Sequence, residues 1–212
     1  MTGQSFIISN EMSPRTALQN ERIRDERREE ILRAALRVFA RAGFEATKIA
    51  DIAAAAEMSH GLIYRYFPSK EAAFLELVQR AVRGGMQLTE RTLANTQAGT
   101  PGQRLHQLLE RMLDGVRHNP EYSLIIVQAY ASGTIPPEAT ELLERYSQQT
   151  LRALSQLIRD AQASGEVRKG DAREFATLLL AAVQGLSITR LEPHTRTRPM
   201  PRAQTLYGLL QP

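Results

Sequence analysis

Apolar residues recur three and four positions apart along most of this chain, the spacing of helices that bury one face. The first such block, 21–42, carries Ile31, Leu32, Ala35, Val38 and Phe39 on one side and is predicted to end at Gly43. A short block follows with Ile49, Ile52, Ala53 and Ala56, broken by Glu57-Met58-Ser59. A second short block has Ile63 and Phe67 four apart and is stopped by Pro68. Thr47 and Ser59 stand where the N-caps of these two helices belong, and Ser69 where that of the next belongs.

The pattern continues downstream. A helix from Ser69 runs through Phe74, Leu75 and Val78 and meets Gly84-Gly85, a pair expected to kink or end it. Thr100-Pro101-Gly102-Gln103 combines a cap, a first-turn proline and a capping-box glutamine, ahead of a buried face at Leu105, Leu108, Leu109, Met112, Leu113 and Val116. Asn119-Pro120 starts a helix that is nearly all apolar over 124–131, and Pro136-Pro137 opens a long one reaching Gly165. Asp171 with Glu174 marks a start for 172–191; Pro193, Pro199 and Pro201 then make a basic linker before a short helix over 203–210. No β-hairpin signal and no internal repeat is visible.

Two short helices joined by a tight turn form a helix-turn-helix, whose second helix enters the DNA major groove while the first crosses the backbone. Gly61 lets the backbone approach DNA closely, and His60 offers a donor and an acceptor to a base edge or phosphate. Tyr64 and Tyr66 can pack their rings inward and donate their hydroxyls to phosphates, although Tyr64 also reads as a core ring and Arg65 as a solvated side chain. Lys70 opposes the dipole at the start of its helix, which calls for an anion nearby, with phosphate the obvious candidate.

The window from about Arg24 to Glu71 resembles the tetracycline-repressor (TetR) family of bacterial transcription regulators. Thr47, Ile49, Ile52, Ala53, Ala56, Ser59, Gly61, Tyr64, Tyr66, Phe67, Lys70 and Glu71 stand where the family pattern has these residues or close equivalents. The resemblance implies that His60 and Gly61 face bases with Arg65 close by, and that Thr47, Tyr64, Tyr66 and Lys70 lie on phosphates. Lys48 and Ser59 complete the expected DNA-binding set. The turn departs from the pattern, with Glu57 and Met58 where the family usually has Gly and Val. A Cβ at Glu57 makes any left-handed backbone there costly, and its charge repels a phosphate.

The expected fold class is therefore all-α: an N-terminal three-helix helix-turn-helix domain (21–68), preceded by a mobile tail (1–20), and a C-terminal helical bundle for dimerisation and ligand binding (69–212). Arg15 in the tail could reach a minor groove, though a disordered leader fits it better. Over 21–70, ten Lys or Arg stand against eight Asp or Glu, so the net charge of +4 on the whole chain argues less than the placement of charge. Arg33, Arg37 and Arg41 form a basic stripe that a solvated face explains equally well.

The apolar run 175–188 is too continuous for one solvated helix. Phe175, Leu179, Ala182, Val183 and Leu186 are expected to meet a second copy, and the resemblance implies dimerisation through the last two long helices. Met112, Tyr122, Gln128, Tyr130, Tyr146 and Gln184 are polar or adaptable groups on apolar helices. They are expected to line a site for a small hydrophobic or amphipathic effector, while an ordinary core would satisfy each of them as well.

Cysteine is absent, which excludes disulfides and thiol chemistry and suits the cytoplasm; no cofactor, metal or membrane span is expected. Phe6-Ile7-Ile8 is too short for a signal peptide core. His106 with Glu110, and His118 with Glu121, leave a metal-dependent enzyme as a remote alternative. An architectural DNA-binding protein without effector is the nearer one.

Overall fold

The computed structural model describes residues 14–191 and 199–212. These form helices α1 (Pro14–Ala46), α2 (Ile49–Ala55), α3 (His60–Ile63), α4 (Lys70–Ala94), α5 (Pro101–His118), α6 (Pro120–Ala131), α7 (Pro137–Ala163), α8 (Ala172–Leu191) and α9 (Ala203–Gly208), with no strand among the described residues. The expected tail over 1–13 and the linker over 192–198 lie outside them, as do the side chains of Arg15 and Leu191.

The helical backbone begins at Pro14, so residues 14–20, expected to belong to a mobile tail, are part of α1. A proline suits a first helical position because its missing N–H has no partner to lose there. Gly43 interrupts α1 with φ 79° and ψ 169°, the left-handed break anticipated for it, and the chain then makes one further turn. Downstream, Thr100 accepts from the Gln103 backbone N–H at 3.3 Å while Gln103 Oε1 accepts from the Thr100 N–H at 3.0 Å, the reciprocal cap that the sequence announces.

Two apolar cores hold the helices together. The first gathers Ile31, Leu32, Phe39, Ile52, Ile63 and Phe67 with Phe74, Leu77 and Val78 of α4. It also takes in Ile125 and Ala129 of α6 and Ala139 and Leu143 of α7. At its centre the rings of Phe39, Phe44 and Phe74 pack together, with Phe74 5.1 Å from Phe39 edge-on and 4.7 Å from Phe44. The second core joins Leu105, Leu109 and Leu113 of α5 to Leu154, Leu157 and Ile158 of α7, Phe175, Leu179 and Val183 of α8, and Leu206 and Tyr207 of α9. Helix α4 belongs to both halves. Helix α6 adds a polar tie to α1, with Gln128 Nε2 donating to the Ala40 carbonyl at 3.1 Å.

Gly84-Gly85 neither kinks nor ends α4, which continues unbroken to Ala94. The reason is a close approach: a Cβ on Gly85 would lie 2.6 Å from the Tyr146 ring on α7, whereas one on Gly84 would meet nothing within 4 Å. Gly84→Ala is therefore expected to raise stability by about 1 kcal/mol through helix propensity. Gly85→Ala should show no such gain, because its methyl has to displace Tyr146. Urea unfolding of the two variants side by side checks this contrast.

The inner face of α8 differs from expectation. Phe175, Leu179 and Val183 are buried against their own chain, and Ala182 and Leu186 are half-buried beside them. Phe175, Leu179 and Val183 are thus engaged within their own chain, while Ala182 and Leu186 keep part of their surface outward. The outward stripe consists of Leu178, 65% exposed, with Ala181, Gly185 and Ile188. A continuous apolar run carries too little contrast for periodicity to tell its inner face from its outer one.

Candidate nucleic-acid interface and cavity

Helix α2 starts at Ile49 after Lys48, not after Thr47, and its first turn is held from within by Asp51, whose carboxylate accepts from the Lys48 N–H at 2.8 Å. Thr47 is 1% exposed and its hydroxyl donates to the Gly43 carbonyl at 2.6 Å. It pins the break after α1, and its side chain is not available to a phosphate. Ser59 occupies the N-cap position of α3 by backbone geometry, with no cap bond from its hydroxyl.

Around this short helix, Ser59, His60, Gly61, Tyr64 and Arg65 all face outward, with Lys48 exposed nearby on the approach to α2. Tyr64 is 46% exposed and its ring stands edge-on to His60 at 5.1 Å, so the alternative of a core ring is set aside. Ile63 and Phe67 point inward and anchor the helix. Tyr66 is half-buried against the first core, and its carbonyl accepts from Arg28 Nη1 at 3.0 Å. The turn before α3 contains the strain anticipated from sequence, since Glu57 has φ 54°. Arg27, Glu30, Arg33 and Arg37 of α1 line the same groove as Glu57. Glu57→Gly is expected to stabilise the fold by about 1 kcal/mol, visible as a higher urea midpoint with an unchanged slope.

Lys70 has its anion-like partners inside the protein. Its Nζ donates to the carbonyls of Phe44 at 2.9 Å and Glu45 at 3.0 Å, and it lies 4.6 Å from the Phe44 ring centre. The partial negative charge at the end of α1 thus supplies one partner of the kind that the position of Lys70 calls for.

Sequence reasoning missed the arginines that tie α3 and α4 to α1. Arg28 pairs with Glu76 and stacks 4.3 Å over Phe67, besides holding the Tyr66 carbonyl. Arg80 grips both carboxylate oxygens of Glu29, at 2.7 and 2.5 Å, and reaches Glu76 at 2.8 Å. These hydrogen bonds hold the Glu29 carboxyl below the usual range and raise the Arg80 guanidinium. The spacing of Glu76 and Arg80 as i,i+4 partners was readable, but their long-range partners on α1 were not.

A cavity of about 480 Å³ opens between α4, α5, α6, α7 and α8. Arg80, Gly84, Gly85 and Leu88 line it from α4, Arg111 and Met112 from α5, Tyr122 and Ile126 from α6, with Tyr146 and Val183 opposite. Burial pushes the Tyr146 hydroxyl above its ordinary pKa. Of the six side chains expected to converge, Met112, Tyr122 and Tyr146 do so. Gln128 is turned to α1, the Tyr130 hydroxyl donates to the Leu143 carbonyl at 2.8 Å, and Gln184 is exposed. A wider cleft of about 790 Å³, between the start of α5 and α9, is lined chiefly by polar side chains such as Gln103, Glu166 and Gln204, and offers no apolar enclosure. His106 at its edge packs against the Tyr207 ring at 5.8 Å. No group of three or more His, Asp or Glu able to hold a metal occurs among the described residues.

An exposed helix-turn-helix braced on a helical bundle defines a DNA-binding regulator. Residues 31–77 match the profile of bacterial regulatory proteins of the tetR family, and residues 101–206 match that of the BetI-type transcriptional repressor C-terminal domain. The chain belongs to the TetR family of DNA-binding transcriptional regulators, which are not enzymes. Among curated relatives, the HTH-type transcriptional repressor NicS of Pseudomonas putida is 26% identical over 159 residues, 75% of this chain and 74% of that one. The repressor KstR of Mycolicibacterium smegmatis is 31% identical over 105 residues, which is half of each chain. Among solved structures, the MbdR regulator from Azoarcus sp. CIB superposes with a TM-score of 0.72 at 25% identity, over 85% of this chain and 93% of that one. AibR, solved in complex with isovaleryl coenzyme A and operator DNA, gives 0.71 at 19% identity over 88% and 98%. No helix among the described residues is long and apolar enough to cross a membrane.

Proposed function

We propose that this protein is a cytoplasmic repressor that binds a palindromic operator as a homodimer and leaves it when a small hydrophobic or amphipathic effector enters the cavity. The observation that carries the reading is that one helix, α4, both packs into the core of the helix-turn-helix and walls the cavity. An effector that prefers one setting of α4 therefore changes the spacing of two recognition helices, and it lowers DNA affinity by its preference ratio. Base reading falls to His60 and the Gly61 backbone, with Arg65 beside them, and phosphate contacts to Lys48, Ser59, Tyr64 and Tyr66.

Dimerisation uses the outward stripe Leu178, Ala181, Gly185 and Ile188, whose small central residues allow a close helix approach. The name of NicS as a repressor, and the AibR complex with both operator and a coenzyme A thioester, support this type of regulation. The test is selection of bound fragments from a random duplex pool by the purified full chain at stated salt. A single palindrome with half-sites about 34 Å apart is the expected result. Weak, salt-sensitive binding without a motif would favour the architectural alternative.

A further inference from the structure

The cavity is lined by two cations, Arg80 and Arg111, and by no carboxylate. Arg111 makes no ion pair among the described residues and is exposed at the rim. Arg80 is held by a carboxylate of its own chain, the bidentate Glu29 on α1, and shares Glu76 with Arg28, which in turn holds the Tyr66 carbonyl just beyond α3. A continuous series of charge-assisted bonds therefore runs from the cavity wall to the end of the recognition helix. The rest of the lining is mainly apolar, with Ala81, Leu88, Met112, Ile126 and Val183, and its polar groups, Asn119, Ser123, Tyr122 and Tyr146, are uncharged side chains.

We propose that the effector is an apolar molecule with a carboxylate head, and that the head takes Arg80 away from Glu29. The proposal rests on the cavity being the effector site. An Arg fork already set for bidentate binding to Glu29 suits a ligand carboxylate equally well, and Arg111 supplies the extra attraction that lets the ligand compete. Once Arg80 turns to the ligand, α1 loses one of its two ion pairs to α4, Glu29–Arg80, and only Arg28–Glu76 remains between them. The setting of α3 against α4 then changes. Glu29 is the internal competitor, so removing its charge should help the ligand and mimic its effect on DNA.

The experiment compares decanoate with 1-decanol by calorimetry on the full chain, wild type and Glu29→Gln, and measures operator affinity on the selected palindrome. Expected are decanoate binding at least about tenfold tighter than the alcohol, the strength of one charge-assisted contact, and severalfold tighter still in Glu29→Gln. That variant should also hold the operator more weakly without ligand. A merely structural role for the Arg80–Glu29 pair would not make a ligand bind better. Equal binding of acid and alcohol, or decanoate affinity unchanged or reduced by Glu29→Gln, overturns the Arg80 proposal while leaving the cavity as an effector site. Decanoate binding that leaves operator affinity intact overturns the coupling. Binding of neither compound removes the cavity reading, and this proposal with it.

Discussion

Leu178→Glu is expected to turn the proposed dimer into a monomer and weaken operator binding at least about a hundredfold, the scale of lost bivalency, while the protomer keeps its helicity and melting temperature. Leu178 is 65% exposed and contributes nothing to either core, so a carboxylate there meets only water in the single chain. In a dimer packed on the Leu178, Ala181, Gly185 and Ile188 stripe, the same carboxylate would be buried without a partner. Its neighbour gives the opposite result. Leu179 is 4% exposed within the second core, so Leu179→Glu should unfold the protomer at a cost of several kcal/mol. Light scattering and thermal melts on the pair separate the two faces of α8; an unchanged dimer mass for Leu178→Glu would move the interface elsewhere.

The second large effect is expected at Gly61. In the free protein a Cβ at this position meets nothing within 4 Å, so Gly61→Leu should fold as well as wild type and gain slightly in helix propensity. Only a surface brought against α3 can object to it. If that surface is DNA, the branched side chain holds the backbone away from the base edges, and affinity for the selected palindrome should fall about a hundredfold with no change in urea midpoint. Binding at wild-type strength would show that α3 does not approach DNA through this position.

The helix starts were legible where the chemistry is local. The Thr100–Gln103 box, Asn119-Pro120 and Pro136-Pro137 each act through backbone groups one turn away, and α5, α6 and α7 begin where they indicate. Glu57 was legible for the same reason, because its strain depends on its own Cβ. What failed depended on distant partners. Gly84-Gly85 looks like a helix breaker until Tyr146 packs on Gly85, and Lys70 calls for an anion without indicating that the end of α1 provides it. Gln128 reads as a pocket residue, yet its amide reaches Ala40 on α1. The facing of α8 was illegible because nearly every position in its apolar run could be core. Arg80, the residue given most weight in the effector proposal, carries no sequence mark beyond its spacing from Glu76.

The first core has a consequence for anyone exchanging readers between regulators. Phe39 and Phe44 are completed by Phe74, beyond the helix-turn-helix, and α1 is further covered by Ile125 and Ala129 of α6 and bonded to Gln128. A graft cut at residue 68 would give a foreign reader two mismatched surfaces at once, one on α4 and one on α6. A working chimera has to inherit α4 with the reader and match the inner side of α6, so the unit that can be transplanted is discontinuous in the gene.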